Sequence, residues 1–193
     1  MIWPTVLSVT AGIGLAAACG FRVFVPLLVM SLAARTGHLP LSDGYAWLAS
    51  LPALIALGTA TVLEVFAYYI PWLDHLLDVL ATPVALAAGA LAMAASIGEV
   101  PPALRWLAVV LGGAGSAGLV QGATVLLRLK SGALTGGLAN PVISTLELFG
   151  AITTALLALV VPLLCVVLLA LLVSGVFRFF RRVAFGHLGQ GTG

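Results

Sequence analysis

Long apolar runs separated by short polar or glycine- and proline-rich breaks set the pattern of this chain. The first run covers roughly residues 2–34, and others follow at Tyr45–Ile70, Val79–Ile97, Ala103–Leu127 and Ala151–Val176. A bilayer-crossing helix needs about 20 such residues, and each run supplies roughly that many or more. The first run is interrupted by Cys19-Gly20-Phe21-Arg22, with Pro26 just beyond. Glycine lacks a Cβ and proline lacks an N–H, so a break or kink is expected over residues 19–26. A second irregular segment, residues 131–147, is glycine-rich and carries Asn140-Pro141. GGAGSAG at 112–118 and the Gly118/Gly122 spacing predict close helix–helix approach in the fourth run.

The pattern predicts an all-α polytopic membrane helix bundle, with about five spanning helices plus two broken or re-entrant segments. Residues 1–176 read as a single transmembrane domain. Residues 177–193, FRFFRRVAFGHLGQGTG, read as an interfacial tail in which Phe meets acyl chains and Arg meets anionic headgroups. The N-terminus has no basic stretch before its apolar run, so that run is expected to be a retained first span.

Composition supports the same class. The chain is 62% hydrophobic and only 7% charged, against about 25% charged in soluble domains. Its mean hydropathy is +1.24. Cys19 and Cys165 lie inside apolar runs, with no metal spacing or disulfide framework, and read as small buried hydrophobes. With five crossings, Arg35, Arg105 and the Arg178/Arg181/Arg182 cluster share one side, and Arg128 and Lys130 take the other. The larger set is expected in the cytoplasm, which predicts a multi-pass protein of the bacterial inner (plasma) membrane with a cytoplasmic C-terminus.

Charge is scarce enough to mark candidate chemistry. Three of the six acids fall in LEVFAYYIPWLDHLLDVLAT, residues 63–82. Asp74 and Asp78 are four apart, on one face if helical, with His75 beside them. They suit a hard cation, with Asp74, Asp78 and His75 as candidate ligands, or they form a solvated acidic turn. Glu64 sits deeper, and an ionisable group at membrane depth is by default a functional candidate. Arg22 cannot shed its charge. It pairs with Glu64 or Glu147, or it joins broken-helix amides in holding a phosphate or carboxylate. Asn140 and Glu147 supply polar groups to the second irregular segment, where non-helical backbone must be buried in protein or line a wet cavity.

Enzyme signatures are thin. There is no H-E-x-x-H, the histidines His38, His75 and His187 are scattered, and GAGSAG around Ser116 lacks the first glycine of a nucleophile elbow.

Three stretches together resemble a known family. AACGFRVFVPLL, the 63–82 stretch with its continuation PVALAAGAL, and LTGGLANPVISTLEL are similar to an uncharacterised bacterial membrane-protein family, domain of unknown function 4126. The resemblance covers about residues 11–160. It rests on Gly20, Arg22, Phe24 and Pro26, on Glu64, Asp74 and Asp78, and on GGLANP. The family pattern has an acid–lysine pair just before Ile70-Pro71, where this chain has Tyr68 and Tyr69. The resemblance implies positions, not chemistry.

The leading expectation is a small transporter or channel for a cation or proton-coupled solute. Glu64, Asp74, Asp78, Arg22, Asn140 and Glu147 would form its path, with Glu64 and at least one of the two aspartates on a shared polar cavity. A non-catalytic scaffold or lipid-binding module, and a lipid-modifying enzyme, are the alternatives. Expected partners are membrane lipids, a cation or small solute and a second copy of the chain. Nothing calls for a nucleic acid or a cofactor.

Overall fold

The computed structural model describes residues 2–136 and 138–186, without the side chains of residues 2, 71–76, 78, 79, 176, 177 and 179–186. Among the described residues there are helices and no strands. They are α1 (Ile2–Cys19), α2 (Phe24–Arg35), α3 (Leu51–Ala67), α4 (Pro71–Ser96), α5 (Pro102–Thr135), α6 (Asn140–Val160) and α7 (Pro162–Gly186), with a 3₁₀ turn at Ala46–Ala49. Proline opens the first turn of each of α3 to α7, where its missing N–H costs nothing. Ser50 caps α3 by accepting from the Ala53 N–H.

Successive helices reverse direction. Thr5 and Ser8 of α1, Pro40–Ser42 after α2, and Ser96 and Glu99 after α4 line one polar hollow of about 520 Å³, so these points share one end of the bundle. The Ser31 hydroxyl donates to the Leu48 carbonyl at 2.6 Å, which sets the start of α3 at that end too. The turn at Gly20–Val23, the α3–α4 junction and the α5–α6 junction face the other way. α2 has 12 residues, so it is about 18 Å long, and its start is buried, with Arg22, Val23 and Val25 all shielded from the surface. It therefore begins inside the bundle.

Two junctions depart from five simple runs. The first run is an antiparallel pair, because the chain turns at Gly20–Val23. The last run is also two helices. Val161 leaves helical geometry and Pro162 lacks the N–H to continue, so α6 ends and α7 begins there. The segment 131–147 is the end of α5, a short turn, and the first two turns of α6. These reversals regroup the basic residues. Arg35 donates to Ala49 O and Arg105 to Ala94 O, at the first end. α7 starts at that end and carries its arginine segment toward the other, where Arg128 and Lys130 also lie. The expected grouping of Arg35 and Arg105 with Arg178–Arg182 is thereby corrected. α7 stays helical through the basic and aromatic segment to Gly186.

α1 is the central helix. Its residues Leu15 to Cys19 are almost wholly buried, and α4, α5, α6 and α7 pack around it. Most of the buried hydrophobic residues are small, with alanines throughout α1, α4 and α6. Large apolar side chains face outward instead, among them Phe66, Trp106, Leu146 and Leu171. Two described helices, Pro102–Thr135 and Asn140–Val160, are long and apolar enough to cross a membrane.

The expected close approach occurs where α5 crosses α4. A Cβ on Gly89 would lie 2.5 Å from Ala117 Cβ and 2.9 Å from the Gly113 carbonyl oxygen. Here α5 widens into a π-helical stretch, Ala108–Gly115, and the Ser116 hydroxyl donates back to the Gly112 carbonyl at 2.5 Å and to that of Gly113 at 3.1 Å. By contrast, nothing lies within 4 Å of a Cβ on Gly122, so only the Gly118 half of that spacing makes a contact. Gly89→Val should cost about 1–3 kcal/mol or more by overpacking. Gly122→Ala should stabilise by about 0.5–1 kcal/mol through backbone entropy. Thermal denaturation in detergent micelles checks both, and equal shifts for the two variants would contradict the tight crossing.

Candidate functional site

Because α2 starts inside the bundle, its first N–H groups have no preceding helical turn and no bulk water to bond. Glu64, one turn before the end of α3, supplies the acceptors. Val23 N–H donates to Oε1 at 2.8 Å and Phe24 N–H to Oε2 at 3.0 Å. The carboxylate also matches the positive end of the α2 dipole. Each charge-assisted bond is worth about 1.5–3 kcal/mol. One acid thus fastens α3 to the start of α2.

Arg22 precedes this junction and is 2% exposed. Its Nη2 donates to the Ser144 carbonyl at 2.9 Å and to the Ser144 hydroxyl, and lies 3.7 Å from Glu147 Oε2. Nε and Nη1 are buried without hydrogen-bond partners. The guanidinium instead stacks over Tyr68, its Cζ 3.7 Å from the ring centroid. Arg128 also lies over that ring, at 4.5 Å. It grips Glu147 with two donors, Nε to Oε1 at 3.0 Å and Nη2 to Oε2. Arg128 and Glu147 are both buried, so the pair is desolvated as well as bidentate.

Helical register explains the assembly. Asn140, Ser144 and Glu147 recur at i, i+4 and i+7 on α6, all buried. Gln121, Thr124 and Arg128 recur at i, i+3 and i+7 on α5, also buried. Two polar stripes therefore face inward from neighbouring helices. The network draws Arg22 from the α1–α2 turn, Glu64 from α3 and Tyr68 from its C-cap, Arg128 from α5, and Ser144 and Glu147 from α6.

Of the expected site residues, Arg22, Glu64 and Glu147 meet here, and Asn140 lies one turn from Ser144 on the same face. Arg22 pairs with Glu147, and the α2 amides are taken by Glu64 rather than left open to an external anion. Asp74, His75 and Asp78 occupy the first two turns of α4, but their side chains lie outside the described residues, so their place relative to Glu64 does too. No group of three or more His, Cys, Asp or Glu able to hold a metal occurs among the described residues. Cys19 and Cys165 are buried free thiols. Arg128, Tyr68 and Ser144 were missed as site residues. Arg128 looks like a helix-end charge, and its signal was the i, i+3, i+7 polar stripe.

A cleft between α3 and α4 reaches the network from the side. It has a volume of about 460 Å³, and Glu64 and Tyr68 are the polar side chains among its described walls. Phe24, Ala60, Leu77 and Leu80 are among the others.

Breaking a desolvated pair leaves one charge unmatched. Glu147→Leu alone, or Arg128→Met alone, should cost about 3–5 kcal/mol. The double variant should recover a coupling of about 0.5–3 kcal/mol relative to the sum. Unfolding titrations with dodecyl sulfate in mixed micelles measure this, and strict additivity would show that the pair is not coupled.

No curated protein and no solved structure matches the chain. One family model does, over residues 9–182, which takes in every network residue. The chain belongs to that family, described as domain of unknown function DUF4126.

Proposed function

We propose that this chain is a multi-pass transporter of the bacterial inner membrane that moves a cation or a proton-coupled small solute, with Glu64 as its central carboxylate. The observation that carries the reading is the double position of Glu64. It caps the start of α2 next to the buried Arg22–Glu147–Arg128 cluster, and it also lines the lateral cleft. An acid reachable from outside and bonded to a helix start inside the bundle is suited to exchanging a proton or cation and to passing that event to the backbone. Small residues inside and large apolar residues outside support the membrane setting. Arg22 acts as the fixed countercharge, and Asn140 and Glu147 continue the path along α6.

A specific observation also favours the scaffold reading. Both described network carboxylates already have partners, Glu147 in Arg128 and Glu64 in two backbone amides. The lipid-enzyme reading draws on the sideways opening of the cleft. However, the described cleft walls hold no histidine, serine, threonine or cysteine to act as nucleophile or proton carrier beside Glu64.

Glu64→Gln keeps the shape and removes the charge. In proteoliposomes driven by a proton or sodium gradient, it should abolish the gradient-dependent flux seen with the natural chain. Unchanged flux, with only a lowered denaturation temperature, would leave Glu64 as a scaffold residue.

The helix reversals support a reading of the orientation. The end that holds Arg128, Lys130 and the Arg178–Arg182 segment of α7 outnumbers in basic residues the end with Arg35 and Arg105. We propose that it is the cytoplasmic end and that the C-terminus is cytoplasmic. A C-terminal fluorescent-protein fusion should glow, and a C-terminal alkaline phosphatase fusion should be inactive. The opposite pair of results would invert the protein.

A further inference from the structure

The cleft between α3 and α4 has a composition that selects among cations. Its walls are aliphatic and aromatic, from Phe24, Ala60, Leu63, Leu77, Leu80 and Val84, and its volume of about 460 Å³ is in the range of small-molecule pockets, about 300–1,000 Å³. It opens on an apolar outer face, where Leu63 is 64% and Leu80 51% exposed. We propose that this cleft binds a lipophilic cation, an apolar body carrying one shielded positive charge, which enters from the bilayer and sets its charge against Glu64. The inference rests on the transport reading and names the substrate class of the same site.

Three features support that class. First, the formal charge on the cleft's described walls is the Glu64 carboxylate; Arg22 and Arg128 are not on those walls but lie against the Tyr68 ring. A cation in the cleft therefore meets a negative group first, and an anion of the same shape meets repulsion. Second, each Glu64 oxygen accepts one backbone N–H, so each keeps a lone pair for a further partner. Third, beyond Glu64 and Tyr68 the described walls offer no polar side chain to replace a hydration shell. A bare alkali ion would lose its water there without compensation, whereas a weakly hydrated apolar cation has little to lose.

Tetraphenylphosphonium and tetraphenylborate have one shape and opposite charge, and so test the idea directly. Equilibrium dialysis would use the full chain in nanodiscs of zwitterionic lipid, with empty discs as the blank. Saturable phosphonium binding at least tenfold tighter than that of the borate is expected. Glu64→Gln should weaken phosphonium binding at least tenfold. Ala60→Phe, which fills the cleft and keeps the carboxylate, should remove it, and this arm decides the matter if the Gln variant does not fold. Equal binding of the two ions, preference for the borate, or phosphonium binding unchanged in Ala60→Phe would overturn the inference. If sodium or proton flux depends on Glu64 yet phosphonium does not bind, the inference fails and the transport reading stands. Glu64-dependent phosphonium binding without any flux supports the inference and sinks the transport reading.

Discussion

A helix that begins inside an apolar bundle leaves its first N–H groups with no water to bond. In this chain α2 begins that way, and the rest of the architecture accommodates it. Glu64 answers the Val23 and Phe24 amides. That contact draws α3 against α2, and it brings an acid to a depth where an acid alone would be costly. The amides and the dipole of α2 stabilise the ionised form and offset part of that cost. Backbone and side chain therefore solve each other's problem, and each needs the other to be there.

Around this junction the packing leaves little slack. α1 threads between four helices because its facing residues are small, and glycine notches set the approach of its neighbours. Gly14 meets Ala158 and Cys165, and Gly12 meets Met93. Such packing holds the α1–α2 turn in place, so Arg22 has little freedom to move. α3 is different. It packs on α2 and the 3₁₀ turn and scarcely on α4. The network thus joins α2 and a fixed core, α1, α5 and α6, to one loosely held helix through the Glu64 carboxylate and the Tyr68 ring at that helix's end.

Much of this was legible in the sequence because charge is so scarce in it. Arg22, Glu64 and Glu147 stood out as ionisable groups in apolar runs; Arg22 lies against Glu147, and Glu64 bonds the backbone just after Arg22. The glycine-rich stretch of α5 announced a close crossing. The helix count was less legible. Gly20 reads equally as a kink or a reversal, and only tertiary packing, above all the Glu64 cap, makes the reversal stable. Val161-Pro162 sits in an unbroken apolar stretch, so hydropathy alone runs α6 into α7. Arg128 was hidden for a related reason. A cation near the end of an apolar run looks like an interfacial anchor, and α5 proved long enough to place it opposite Glu147 instead.

Full pairing and function are often set against each other, yet the two ion sites here differ in kind. Arg128 holds Glu147 with two donors and lies over the Tyr68 ring, so separating the pair strands two charges. Glu64 is held only by amides that belong to another helix. A positive group arriving in the cleft competes with those amides for the same two oxygens. If the cation draws the carboxylate away, the start of α2 loses its acceptors and α3 loses its clamp. If the clamp holds, the cation is bound less well. Ligand occupancy and the α2–α3 contact are then linked through one side chain, and by reciprocity whatever loosens α3 must tighten the hold on the ligand.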